Sequence, residues 1–167
     1  MRIASFIQDS IVDGPGLRFT LFTQGCPHKC PGCHNPDTHP PSGGREESVS
    51  SIISAMLSNP LTGGLTLSGG EPFSQSEDCY KIALTAKEKG LNIWAYSGYC
   101  FEKLSDGSIP YAPELLSLCD VLVDGRFLES ERDLTLKWRG SRNQRVIDVQ
   151  ASLRRGEIVL WEEPKYI

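Results

Sequence analysis

Four short apolar runs in this chain each stop at an irregular loop containing glycine, and that rhythm restricts the fold more than any other feature. Residues 17–23 run into 25–35, residues 64–68 into Gly69-Gly70-Glu71-Pro72, residues 91–96 into Ser97-Gly98-Tyr99, and residues 120–123 into Asp124-Gly125-Arg126. The runs are short and rich in β-branched and aromatic side chains, so they read as strands. Helical stretches separate them. Ser48 caps a helix that continues through Leu57 on Val49, Ile52, Ile53 and Met56. Residues 74–89 form a second helix closed by Gly90, and residues 113–118 a short third one. Residues 145–149 and 158–161 read as late strands, the second alternatively as an addition at a sheet edge. Such alternation predicts a parallel sheet with crossover helices, whose loops at the carboxyl ends of the strands meet on one ligand-binding rim.

Length sets the size of that sheet. A closed eight-unit barrel needs about 250 residues, and this chain has 167. The expected architecture is therefore α/β, a partial, open TIM-type barrel of about five or six parallel strands, with a doubly wound sheet as runner-up. One domain over residues 1–167 is expected. The net charge of −4 and the absence of a basic run disfavour a nucleic-acid surface. No segment approaches the roughly 18 apolar residues of a membrane span. The start, Met1-Arg2-Ile3-Ala4-Ser5-Phe6, carries no apolar leader, so the expected location is the cytoplasm.

The six cysteines divide into two groups. Cys79, Cys100 and Cys119 stand alone in or beside apolar stretches and read as small hydrophobes. Cys26, Cys30 and Cys33 crowd into Gly25-Cys26-Pro27-His28-Lys29-Cys30-Pro31-Gly32-Cys33-His34-Asn35. Clustered thiols in a reducing compartment are metal or redox ligands. The prolines and Gly32 supply the tight turns that wrapping three thiolates around an iron–sulfur cluster requires. Three thiolates leave one iron of a cubane open to a ligand from outside the protein. A structural zinc site with His28, His34 or His39 as fourth ligand, and an electron-transfer cluster, stay open as alternatives.

The Cys-x3-Cys-x2-Cys spacing near the start of an α/β chain resembles the radical S-adenosylmethionine enzymes. Most of that family carries an aromatic residue just before the third cysteine. Gly32 in that place is similar to one branch, the small activating proteins of anaerobic ribonucleotide reductase. Ser68-Gly69-Gly70-Glu71-Pro72 resembles the family's second motif, and Asp13-Gly14-Pro15-Gly16 with Arg18 resembles the segment that opens glycyl-radical-activating enzymes. Residues 120–127 and 138–145, and the short length, are also similar to the reductase-activating branch. Residues 34–38 are shared with the longer activator of pyruvate formate-lyase. The likeness spans about residues 6–150.

What the resemblance implies is specific. Cys26, Cys30 and Cys33 hold a 4Fe-4S cluster. Gly32, Cys33 and His34 border S-adenosylmethionine, with Gly69, Gly70 and Glu71 at its methionine end, and no side chain serves as acid or base. The partners are the large subunit of anaerobic ribonucleotide reductase and an electron donor such as reduced flavodoxin. Activation of another glycyl-radical enzyme, or a zinc-binding module without catalysis, remain the competing readings. A bulky residue at Gly70 is expected to spare the cluster and weaken cofactor binding. Taken unaided, Glu71 is also a helix-terminal acid, Asp13 and Arg18 an ion pair stiffening a turn, and Arg139, Arg142 and Arg145 a basic group suited to an anion.

Overall fold

The computed structural model describes residues 1–163. Its seven strands form one sheet: β1 (Arg2–Ser10), β2 (Arg18–Thr23), β3 (Arg45–Glu46), β4 (Gly64–Gly69), β5 (Asn92–Ser97), β6 (Val121–Asp124) and β7 (Arg145–Asp148). The order is β3-β1-β2-β4-β5-β6-β7. Only β2, β4, β5 and β6 are mutually parallel; β1, β3 and β7 run antiparallel to their neighbours. The parallel part thus has four strands and not five or six, and β3 and β7 are the outermost strands of an unclosed sheet. The four parallel strands are the four runs expected, so their terminal loops do emerge on one side.

Strand β1 lacks the clean two-residue period because its pairing with β2 shifts register between Ile3 and Ser5 and again between Ile7 and Ser10. Each irregularity resets which side chains face inward. The 158–161 segment adds to the edge through a single bridge, Ile147 to Leu160.

The α-helices are α1 (Val49–Met56), α2 (Ser76–Glu88), α3 (Phe101–Ser105), α4 (Ala112–Leu118) and α5 (Val149–Arg155), and three short 3-10 turns add Pro36–Thr38, Pro72–Gln75 and Glu129–Glu131. The Ser48 hydroxyl accepts from the Ser51 N–H at 3.1 Å, as its capping position demands. At the end of α2, Gly90 takes positive φ, and the Leu91 N–H returns to the Ala86 carbonyl at 2.9 Å. Asp148 caps α5 by accepting from the Ala151 N–H.

Each parallel strand buries both faces, as a covered parallel sheet requires. Phe19, Leu21, Leu65, Leu67, Ile93, Ala95 and Leu122 point to the helices, where Ile52, Met56, Ile82, Ala86 and Leu115 meet them. On the opposite face Trp94, Val121 and Val123 join Tyr96, Trp138, Val146 and Trp161. Arg18 lies on that inner face, 1% exposed and with no carboxylate against it. Its guanidinium donates to Thr66 Oγ1 at 2.6 Å and to the carbonyls of Leu65, Pro15 and Asn92, and it sits 5.7 Å from the Trp94 ring. Desolvation lowers its pKa to about 10, which leaves it charged at neutral pH. Asp13 does not pair with it; the two meet through Thr66, whose hydroxyl donates to the Asp13 carbonyl.

The isolated cysteines divide differently from expectation. Cys79 and Cys119 are buried, but Cys100 is exposed. Burial raises the Cys119 thiol to about 12 and raises Cys79 as well. A thiol reagent at pH 8 is therefore expected to label four cysteines of the iron-free protein and to spare Cys79 and Cys119 until denaturant is added. Intact-mass measurement of the native protein with six labels would contradict this packing.

Candidate functional site

Strand β2 ends at Thr23, and the chain then wraps the cysteine loop back across the ends of β4 and β5. Gly25 donates its N–H to the Thr38 carbonyl and Cys26 its own to His39, so the loop closes on itself before rejoining the sheet at β3. Cys26, Cys30 and Cys33 are half-buried free thiols. All three line one cavity of about 520 Å³, together with His34, Gly69 and Gly70. The volume lies within the ~300–1,000 Å³ range of small-molecule sites. Among the described residues, no three His, Cys, Asp or Glu side chains gather tightly enough to hold a single metal ion.

Backbone donors serve the sulfur atoms. The Asn35 N–H donates to Cys33 Sγ at 3.4 Å. Burial pushes the Cys26 thiol up, and the backbone N–H groups of His28 and Lys29 partly oppose that. Hydrogen bonds of this kind to cysteine sulfur are among the groups that tune iron–sulfur centres. Three free thiols on one cavity wall, two of them with backbone donors, therefore suit an iron–sulfur cluster.

The two glycines after β4 are dictated by backbone proximity. Gly69 has φ +93°, and a Cβ there would lie 2.6 Å from the Phe22 Cα. A Cβ on Gly70 would be driven into the Gly25 carbonyl oxygen. Gly70 donates its N–H to Thr23 and Glu71 to Gly25. The glycine turn and the root of the cysteine loop are thus one hydrogen-bonded unit. A bulky residue at Gly70 reaches the cysteine loop first, contrary to the expectation that it would spare the cluster.

Glu71 does not face the cavity. It is fully buried, and its carboxylate accepts from Phe73 N–H at 3.1 Å and Ser97 hydroxyl at 2.9 Å on one oxygen. The other oxygen accepts from His28 Nε2 and Gly98 N–H, both at 2.8 Å. Two donors on each oxygen fill the capacity of a carboxylate. The same contact turns His28, one of the histidines considered for zinc, toward Glu71.

Gly32 also lies off the cavity wall. A Cβ there would lie 3.3 Å from the Phe127 ring and 3.1 Å from the Glu129 carboxylate. Phe127 itself lines the cavity and sits 5.4 Å from the His34 ring. Phe127 thus brings an aromatic ring beside Gly32 and His34 from a loop far along the chain.

Residues 126–144 cover the inner face beside these groups, and sequence reasoning missed their part in the site. Gln144 folds this segment by accepting from the Gly140 N–H and donating to the Gly125 carbonyl. Trp138 takes positive φ, packs edge-on against Trp94, and keeps its indole N–H buried without a partner. Trp138, Arg139, Tyr96 and Asp13 all line the cavity. The motif resemblance of residues 138–145 marked the segment but not its place over the cavity. The three arginines do not form one anion site. Arg142 pairs with Asp133 and Arg145 with Asp124 and Glu102, while Arg139 donates to the Gln144 carbonyl. The Arg145 contact holds the Glu102 carboxyl at about 2.

Comparison with known proteins follows the same outline. A family model described as a 4Fe-4S single cluster domain matches residues 12–147. An anaerobic ribonucleoside-triphosphate reductase-activating protein of Escherichia coli K12 is 36% identical, covering 87% of this chain and 97% of that protein. The protein of that name in Vibrio cholerae is 37% identical over 86% of this chain and 96% of its own. The one in bacteriophage T4 is 35% identical over 81% and 86%.

Proposed function

Since this chain belongs to the family of anaerobic ribonucleoside-triphosphate reductase-activating proteins, we propose that it activates that reductase with a 4Fe-4S cluster on Cys26, Cys30 and Cys33 and with S-adenosylmethionine. The observation that carries the reading is the meeting of three free thiols and the backbone of Gly69 and Gly70 on one cavity at the carboxyl ends of the parallel strands. The chain is an iron–sulfur activating enzyme. Cys26, Cys30 and Cys33 would hold the cluster, which when bound would supply one-electron reductive cleavage of S-adenosylmethionine directed at a glycine of the reductase.

The chain's own residues bind and orient. Gly69 and Gly70 bring bare backbone to the cavity, which suits the amino-acid end of S-adenosylmethionine. Cys33 and His34 border the cofactor on the cysteine side, with Gly32 behind them. Phe127 and His34 offer flat apolar surface for its ring system. Glu71 serves from behind the wall through its hydrogen bonds. No side chain need accept or deliver a proton. Residues 1–167 form a single radical S-adenosylmethionine domain in this reading, with the sheet's inner face as the hollow of a partial barrel. The electron source is a donor such as reduced flavodoxin. No helix among the described residues is long and apolar enough to cross a membrane.

The test is anaerobic. Reconstituted protein, S-adenosylmethionine and a reductant are incubated with the large reductase subunit, and a glycyl radical is sought by electron paramagnetic resonance. A doublet on the reductase is expected. A doublet on pyruvate formate-lyase instead would transfer the chain to the competing branch, and a colourless protein carrying one zinc would end the radical reading.

A further inference from the structure

His28 and Glu71 sit together between the two loops of the site, His28 at the cavity wall and Glu71 behind it. The His28 side chain is 3% exposed and that of Glu71 is 0% exposed. His28 stands at the middle of the three residues between Cys26 and Cys30. Its Nε2 lies 2.8 Å from Glu71 Oε2, a contact that spans 43 positions of sequence. Its ring meets Tyr99 edge-on at 4.4 Å between centroids. Gly98 leaves room for that ring, since a Cβ there would enter the imidazole. Glu71 in turn gathers Ser97 and Gly98 from the end of β5.

We propose that the His28–Glu71 pair is a positioning clamp that fixes the Cys26–Cys30 segment against the ends of β4 and β5, and so sets the position of its thiols relative to the Gly69–Gly70 backbone. This rests on reading the cavity as a radical S-adenosylmethionine centre. The geometry supports a clamp over a ligand role because every acceptor site on Glu71 is already used. A cysteine loop tied only at its root would be free to swing at its tip. The clamp adds a second tie point between two of the thiols. Outer partners that orient metal ligands have effects of about 10–100-fold on binding or activity.

The full-length chain carries the test in two parts. In iron-free protein, His28→Ala is expected to raise amide hydrogen exchange in residues 25–34 at least about tenfold while β2 and β4 keep their protection. His28→Gln, whose side-chain amide can reach Glu71, should restore most of it. In reconstituted protein, His28→Ala should keep its iron but bind S-adenosylmethionine about tenfold or more weakly, with a smaller cofactor-induced change in the electron paramagnetic resonance spectrum. Ser97→Ala, which removes one donor to Glu71 without touching the cysteine loop, should move the same readouts in the same direction by less. Unchanged exchange in His28→Ala would overturn the clamp. So would His28→Gln being as defective as His28→Ala, which would assign the effect to ring packing. Failure of the wild-type protein to bind S-adenosylmethionine would remove the functional reading, while the exchange result still decides the clamp.

Discussion

Cys30→Ala is expected to emerge from anaerobic reconstitution nearly colourless, and to activate the reductase more than about 100-fold more slowly than the parent chain. Outer partners of a metal ligand alone cost about 10–100-fold, so loss of the ligand itself should exceed that range. Cys30 makes no disulfide, and its neighbourhood on the cavity wall is partly open. The substitution should therefore leave the fold intact and act on iron. Iron per chain, compared with about four for a filled cubane, is the first measurement, and cleavage of S-adenosylmethionine is the second. A Cys30→Ala protein with full iron and normal cleavage would remove Cys30 from the ligand set.

Gly70→Val should do comparable damage by another route. The added Cβ enters the Gly25 carbonyl, which accepts from the Glu71 N–H at 2.9 Å. Relief requires the cysteine loop to move at its root. Overpacking of this kind costs about 1–3 kcal/mol, small enough for the sheet to survive. Iron content and S-adenosylmethionine affinity should fall together. Full iron with weakened cofactor binding alone would return Gly70 to a role limited to the ligand.

How much of this was legible beforehand depends on the range of the interaction. The cysteine loop and the glycine turn could be read because each is contiguous and follows a strand. The role of Glu71 could not be read. Its four donors come from Phe73, His28, Ser97 and Gly98, and nothing local distinguishes an acid so gathered from one facing a ligand. Phe127 and Trp138 were hidden for the same reason, since each meets the cavity from a loop more than ninety positions beyond the cysteines. The sheet was legible in its four parallel members and in the presence of β7, but not in β1 and β3 or in the direction of β7. β1 was lost to its register shifts, and strand direction at β7 cannot be told from a four-residue run. Cys100 shows the reverse error, because an apolar neighbourhood in sequence did not mean burial.

Strands β2 and β4 pair in register over six residues, from Arg18 with Gly64 to Thr23 with Gly69. Each of the two loops that would grip the iron cluster and its co-substrate is the direct continuation of one of these strands. Their separation is therefore measured by the repeat of a hydrogen-bonded ladder, about 4.8 Å from chain to chain, and not by any adjustable side chain. Surrounding residues can be exchanged without altering the spacing at which the two loops leave the sheet.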